Sequence, residues 1–194
     1  MGRTVPFPLS KRSRQGGVTL IEVLISLVIL LFGLLGLVGV MVQSQRAQLE
    51  SYQRVQALML VQDMVARMSS NKAAAACYVT VNPLGTGNGA TPDASGCATG
   101  TSAEKTKVTS DLTEWKGLLL GSAETNASSE NVGGVLGARG CVVADVAVTG
   151  KYQISVAWQG TSPAGAPPAG IPCGQNQYGD DAYRRAVSVT LMLI

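Results

Sequence analysis

The chain is 194 residues long, 46% hydrophobic and 14% charged, a length that suits a single globular domain. Histidine is absent, which removes the usual general base and the commonest metal ligand, so an enzyme is not expected and neither is a cofactor or a metal. The formal charge of +3 misleads: four of the fifteen cations, Arg3, Lys11, Arg12 and Arg14, sit in the first 17 residues without an acid among them, the rest is near neutral, and no clustered basic surface indicates nucleic acid.

Residues 1–17 read as a basic leader ending in Gln15-Gly16-Gly17, and Val18-Thr19-Leu20-Ile21-Glu22-Val23-Leu24 follows. A secretory signal discards its apolar region, whereas the only plausible cut here, after Gly17, lies upstream of that region and leaves it on the mature chain. Val23 to Val42 is a run of twenty uncharged residues, and at about 1.5 Å per helical residue it spans a hydrocarbon core of about 30 Å. The leading cations place the short N-terminal segment in the cytoplasm and everything after about residue 43 on the other side. Glu22 is the anomaly, because an ionisable group near the start of a membrane helix is costly and calls for a partner. Once the chain is cut after Gly17, the new amine on Val18 lies one helical turn from that carboxylate. Copies stacked with an axial offset would then neutralise each other's charges. The alternative is a Glu22 close enough to the headgroups to stay solvated, on a helix that simply anchors.

The run Gly17-Val18-Thr19-Leu20-Ile21-Glu22-Val23-Leu24-Ile25 closely resembles the class III signal of type IV pilins and type II secretion pseudopilins. The resemblance implies that a prepilin peptidase cuts after Gly17 and methylates the amine of Val18. It also implies that Glu22 neutralises a neighbouring subunit's terminus during assembly. That family most often has phenylalanine where this chain has Val18, a departure that bears on methylation more than on cleavage.

Beyond the apolar run the pattern becomes amphipathic through Gln43, Gln45, Arg46, Gln48, Glu50, Gln53 and Arg54, so one long helix is expected from Val18 to about residue 70, with Lys72 to Ala76 able to extend it. Leu49, Tyr52, Val55 and Met59 form one apolar stripe, Leu58, Val61, Val65 and Met68 continue on a neighbouring face, and Met59, Met64 and Met68 are expected in the core. Gly33, Gly36 and Gly39 recur every third residue, either allowing close helix contact or marking a stretch that loosens outside the bilayer.

Residues 80–100 hold Pro83, Pro92 and five glycines and read as a loop, bracketed by Cys77 and Cys97. With Cys141 and Cys173 these cysteines are spaced 20, 44 and 32 apart, which excludes a C-x-x-C site. All four follow the apolar run, where an oxidising exterior favours disulfides. Three pairings are possible, and the sequential one closes two loops poorly able to pack, each worth about 3–4 kcal/mol in the chain-entropy model. Free buried thiols are the alternative.

Thr101-x-x-Glu104 offers a capping box, and Val108, Leu112, Trp115 and Leu119 follow at helical steps, so a second helix is expected to end near Gly121 and pack on a sheet. Glu104, Asp111 and Glu114 read as solvated charges on its face. After a polar connector over residues 122–134, Cys141–Val148, a turn at Gly150-Lys151, and Tyr152–Trp158 predict a hairpin. Arg184–Ile194 predicts a last strand with Val187, Val189, Leu191 and Leu193 on one face and a packed C-terminus. Residues 160–181 carry four prolines and form the expected variable surface. Asp180-Asp181 is a weak calcium candidate, and Arg184-Arg185 reads as protection of a strand edge.

The expected fold is α+β, a long N-terminal helix packed on an antiparallel sheet, divided as leader 1–17, assembly half 18–42, amphipathic half 43–76 and head 77–194. Within the family, the cysteine-containing head, the Asp111–Trp115 helix and the Tyr152–Trp158 strand are similar to minor pilins of the pilus-modification kind. That likeness implies an inner-membrane protein with a periplasmic head, reaching the fibre at the cell surface in low copy number. Its implied partners are other minor pilins, the major pilin, the prepilin peptidase and the inner-membrane assembly platform, with adhesion and twitching motility as consequences of the fibre. Two other readings carry the same N-terminus: a type II secretion pseudopilin, and a single-pass anchor with a binding head that never polymerises.

Overall fold

The computed structural model describes residues 16–89 and 91–193. The leader as far as Gln15, with its four cations, and the chain end at Ile194 lie outside the described residues. The chain divides into two compact units after Gln45.

Helix α1, Leu20–Ser70, opens in the first unit, where its apolar residues are exposed all round. No proline interrupts it, and Glu22 in its first turn complements the positive end of the helix dipole. The second unit holds the remainder of α1, helix α2 (Ser102–Leu119) and four strands: β1 (Leu84–Gly85), β2 (Arg139–Ala144), β3 (Lys151–Gln159) and β4 (Arg184–Met192). The sheet is antiparallel throughout, in the order β1-β2-β3-β4. This is the α+β layout expected, with the helices on one face of the sheet.

The core forms where Ala57, Val61, Met64 and Met68 of α1 meet Val108, Leu112, Trp115 and Leu119 of α2 over Val142, Ile154 and Val156 of the sheet. Spacings of four, three and four place each helical set on one stripe, so each helix hides one face and leaves the other in solvent. Trp115 locks the layers together. Its ring lies on β2 at Gly140, where an added Cβ would come within 2.3 Å of it, and its Nε1 donates to the Leu60 carbonyl at 2.9 Å. α2 starts with the reciprocal cap expected, Thr101 Oγ1 accepting from Glu104 N–H and Glu104 Oε2 from Thr101 N–H.

Several elements differ from expectation. The stripe Leu49, Tyr52, Val55 and Met59 is exposed, Met59 at 62%, and the neighbouring face is the one buried. Both stripes have helical spacing, and only the position of the sheet chooses between them. The α-helix stops at Ser70, where its end was expected, but Lys72–Tyr78 does not extend it as α-helix: it continues as a 3-10 segment kinked at Ala74, and Tyr78 is buried. Strand β2 ends at Ala144 rather than Val148. Asp145 there accepts from the N–H groups of Ala147 and Val148 and pairs with Lys151, building a turn, and Val146 is fully exposed. The loop after Cys77 contains β1, too short to leave an alternating signal.

Candidate functional site

Gly16 to Thr19 precede the helix as exposed chain without regular structure. Thr19 closes the first turn, its carbonyl accepting from the N–H groups of Glu22 at 3.0 Å and Val23 at 3.3 Å. The Gly17–Val18 peptide bond therefore lies just outside α1, and a side chain added at Gly16 or Gly17 would have nothing within 4 Å. An exposed, non-helical bond between small residues is the kind a peptidase can take in extended form.

Glu22 sits in the first helical turn, and Ser26 Oγ donates back to its backbone carbonyl at 2.7 Å. Its carboxylate has no hydrogen-bond or ion-pair partner among the described residues. Around it, Val18, Leu20, Ile21, Val23 and Leu24 are 49–79% exposed. An acid on an apolar, uncovered surface is costly to place in a membrane unless a cation meets it. α1 is long and apolar enough to cross a membrane, with a mean hydropathy of 3.0 in its most apolar stretch. Gly33, Gly36 and Gly39 have open space around them, so the backbone there is accessible to close approach by another helix.

The head contributes a buried polar network that the sequence did not disclose. Asp111, expected as a solvated charge, is 1% exposed. It accepts from Tyr78 Oη at 2.5 Å, from Lys107 Nζ, and from Arg67 Nη1 at 3.2 Å. Arg67 also reaches Asp63 at 2.7 Å and Glu114 at 2.8 Å. Burial alone would raise the Asp111 carboxyl, but the bonds from Lys107 and Tyr78 and the charge of Arg67 prevail and hold it below the usual carboxylate range. Tyr78 is pushed up, first by burial and then by its bond to Asp111. The sequence signals for this network were two charge pairs at a spacing of four, Asp63 with Arg67 and Lys107 with Asp111, a spacing common on any helix surface. Its groups bind one another, Tyr78 is pushed up rather than toward its ionised form, and the network ties α1, the 3-10 segment and α2 together.

The cysteines pair as Cys77–Cys97 and Cys141–Cys173. Arg184 is not edge protection: it is 1% exposed, binds Asp181 through Nε at 2.7 Å and Nη2 at 2.8 Å, and donates to the carbonyls of Ile171 and Cys173. Asp180 accepts from Ala182 N–H. Both acids of the calcium candidate are thus engaged within the chain, and no group of three metal-binding side chains occurs among the described residues.

Residues 12–38 match the family model of the prokaryotic N-terminal methylation motif, and the match covers the leader junction, Glu22 and most of the apolar run. That motif at the head of a long apolar helix supports a type IV pilin-like protein, and the helix fits a membrane anchor. Proteins of this kind are typically structural, processed by a prepilin peptidase and assembled by pilus machinery. No curated protein and no solved structure matches the chain.

Proposed function

We propose that this chain is a minor pilin similar to PilV, which joins other minor pilins in priming type IV pilus assembly and enters the fibre at low copy number beside the major pilin. The observation that carries the reading is the accessible Gly17–Val18 bond directly before a helix whose first turn holds Glu22, an acid without a partner among the described residues. Cleavage after Gly17 creates an amine at Val18, and the Glu22 carboxylate of one subunit neutralises the amine of the next. Because the apolar surface of residues 18–42 is open on every side, it serves as membrane anchor first and as packing surface between subunits afterwards. The leader's cations favour a cytoplasmic N-terminus at the inner membrane, with the disulfide-bonded head in the periplasm. The Asp111–Trp115 and Tyr152–Trp158 segments and the two cysteine pairs support the PilV likeness within the wider class.

N-terminal mass spectrometry of the protein from its native host is the decisive experiment. A mature chain starting at Val18, with or without a methyl group, supports the proposal, and an intact leader points to a plain anchor. Glu22→Ala is expected to insert normally and to be poorly incorporated into fibres. Normal incorporation of that variant would remove the charge-pairing role.

A further inference from the structure

Two segments held by different disulfides meet at Arg139, the first residue of β2. On one side, inside the Cys77–Cys97 loop, a turn closes through Asn88 N–H donating to the Gly85 carbonyl at 3.2 Å and Asn88 Nδ2 to the Pro83 carbonyl at 2.8 Å. The turn comes so near that a Cβ added at Gly87 would lie 3.0 Å from Arg139 Nη2, and Gly87 has a φ of 80°, which glycine adopts without strain. On the other side the chain after Cys173 brings up Tyr178. Its hydroxyl donates to the Gly137 carbonyl at 2.9 Å, and its ring centroid lies 4.7 Å from Arg139 Cζ. The guanidinium is thus held in place by an aromatic face and a close backbone.

Arg67, Arg184 and Arg185 donate to carboxylates and carbonyls within the head. Arg139 differs. Among the described residues no carboxylate or carbonyl accepts from its guanidinium, and Asp181, three residues beyond Tyr178, is bound to Arg184. Beside Arg139 opens a pocket of about 250 Å³, walled by Asn82, Thr86, Gly87, Asn88 and Gln177. Among the described residues Arg139 is the only charge in that wall. A half-buried, stacked cation facing a hollow without an acid presents its donors to whatever anion enters.

One fixed cation suits one negative charge, and the planar fork of a guanidinium matches a carboxylate. A phosphate near its dianion would call for a second cation or a helix N-terminus, and among the described residues the wall supplies neither. The amides of Asn82 and Gln177 and the hydroxyl of Thr86 both donate and accept, as the hydroxyls of a sugar do. We infer that this pocket binds an acidic sugar, a uronic acid whose carboxylate meets Arg139 and whose ring hydroxyls meet Asn82, Thr86 and Gln177. The site lies wholly in the folded head, so it stands whether or not the chain enters a fibre.

The test uses the full, isotope-labelled chain in detergent micelles and follows the Arg139 side-chain N–H and the backbone amides of Gly87 and Gln177 by magnetic resonance. Methyl glucuronide should shift all three in a saturable way. Methyl glucoside, which lacks the charge, and acetate, which lacks the hydroxyls, should each bind about tenfold more weakly, the scale of a lost charged hydrogen bond. Free glucuronate serves as a comparison: a preference for the methyl glycoside assigns the source to the end of a glycan, and a preference for the free acid assigns it to the monosaccharide. Arg139→Gln keeps an amide but removes the charge and should abolish the response. Gln177→Ala and Thr86→Val, at exposed positions, should weaken it severalfold in chains whose thermal transition is unchanged. No response to the glucuronide, or inorganic phosphate, acetate or the glucoside binding as tightly, overturns the inference. So does parent-like binding in Arg139→Gln or in both other variants. Shifts that grow with protein concentration alone overturn it as well, since they would give the Arg139 fork to an acid of a second copy.

Discussion

Tyr78 and Asp111, 33 positions apart in sequence, meet inside the head with the phenol donating to Asp111 Oδ2 at 2.5 Å. The bond ties the 3-10 segment after α1 to the middle of α2, and Arg67 brings α1 itself to the same carboxylate. Three elements thus share one buried acceptor. Asp111→Ala leaves a tyrosine hydroxyl and a guanidinium without it, and removing one member of a buried charged set costs about 3–5 kcal/mol. Asp111→Asn, which still accepts from Tyr78, should cost less. Denaturant unfolding followed by Trp115 fluorescence reads the difference, and equal midpoints for parent and Asp111→Ala would show that the network contributes nothing.

The same pair sets a pH window. Asp111 is held below its ordinary value, so its contribution is complete above the unfolded carboxylate pKa of about 3.9 and disappears as pH falls through the lower folded value. Tyr78 is raised, so its contribution is complete below the unfolded value of about 10 and is lost as pH climbs above it. Melting temperature should be flat between these limits and fall outside them. In Asp111→Asn the acid-side fall should be shallower than in the parent, and an identical acid limb would assign the loss to other carboxylates.

Gly140 is demanded by contact rather than by backbone angle. A Cβ there would lie 2.3 Å from Trp115 Cη2 and 2.7 Å from Leu119 Cδ1, both buried and neither free to withdraw. Gly140→Ala should therefore destabilise the head by about 1–3 kcal/mol, the usual penalty for overpacking, seen as a lower denaturant midpoint with little change in slope. A midpoint equal to that of the parent would mean that α2 can lift from the sheet without cost.

Much of this architecture was legible because it rests on local chemistry. The Thr101–Glu104 cap, the Val108–Leu112–Trp115–Leu119 stripe and the alternation in Tyr152–Trp158 each carry their own signal. So does the junction at Gly17, where leader, cut and acid follow one another in sequence. What escaped depends on distant neighbours. Met59 and Met64 have the same composition and helical spacing, yet one is exposed and the other has no exposed surface, because the sheet approaches one side of α1 only. Asp111 read as a surface charge because its partners Tyr78 and Arg67 belong to other elements, and Arg184 read as an edge charge because the loop carbonyls that bind it come from residues 171 and 173.

Arg184 provides the last prediction. Residues 160–183 lack strand or helix apart from a short 3-10 turn at Asp181–Tyr183, and among the contacts that hold the segment to the sheet are the Cys141–Cys173 bond, the Tyr178 hydroxyl donating to the Gly137 carbonyl, and the buried guanidinium of Arg184, which takes up the carbonyls of Ile171 and Cys173. Arg184→Met keeps most of the aliphatic bulk but removes every donor, leaving those two acceptors unmatched at a cost of about 2–4 kcal/mol. Because the disulfide still closes the loop, the damage should be local. Proteolytic nicking within residues 160–183 should accelerate at native pH while the Tyr78–Asp111 side of the head keeps its protection against hydrogen exchange. Reducing the parent protein should loosen the same segment less than reduction combined with Arg184→Met, since each device restrains what the other releases. If the variant resists proteolysis as well as the parent does, the disulfide and the Tyr178 and Arg185 contacts fix the loop without the Arg184 donors.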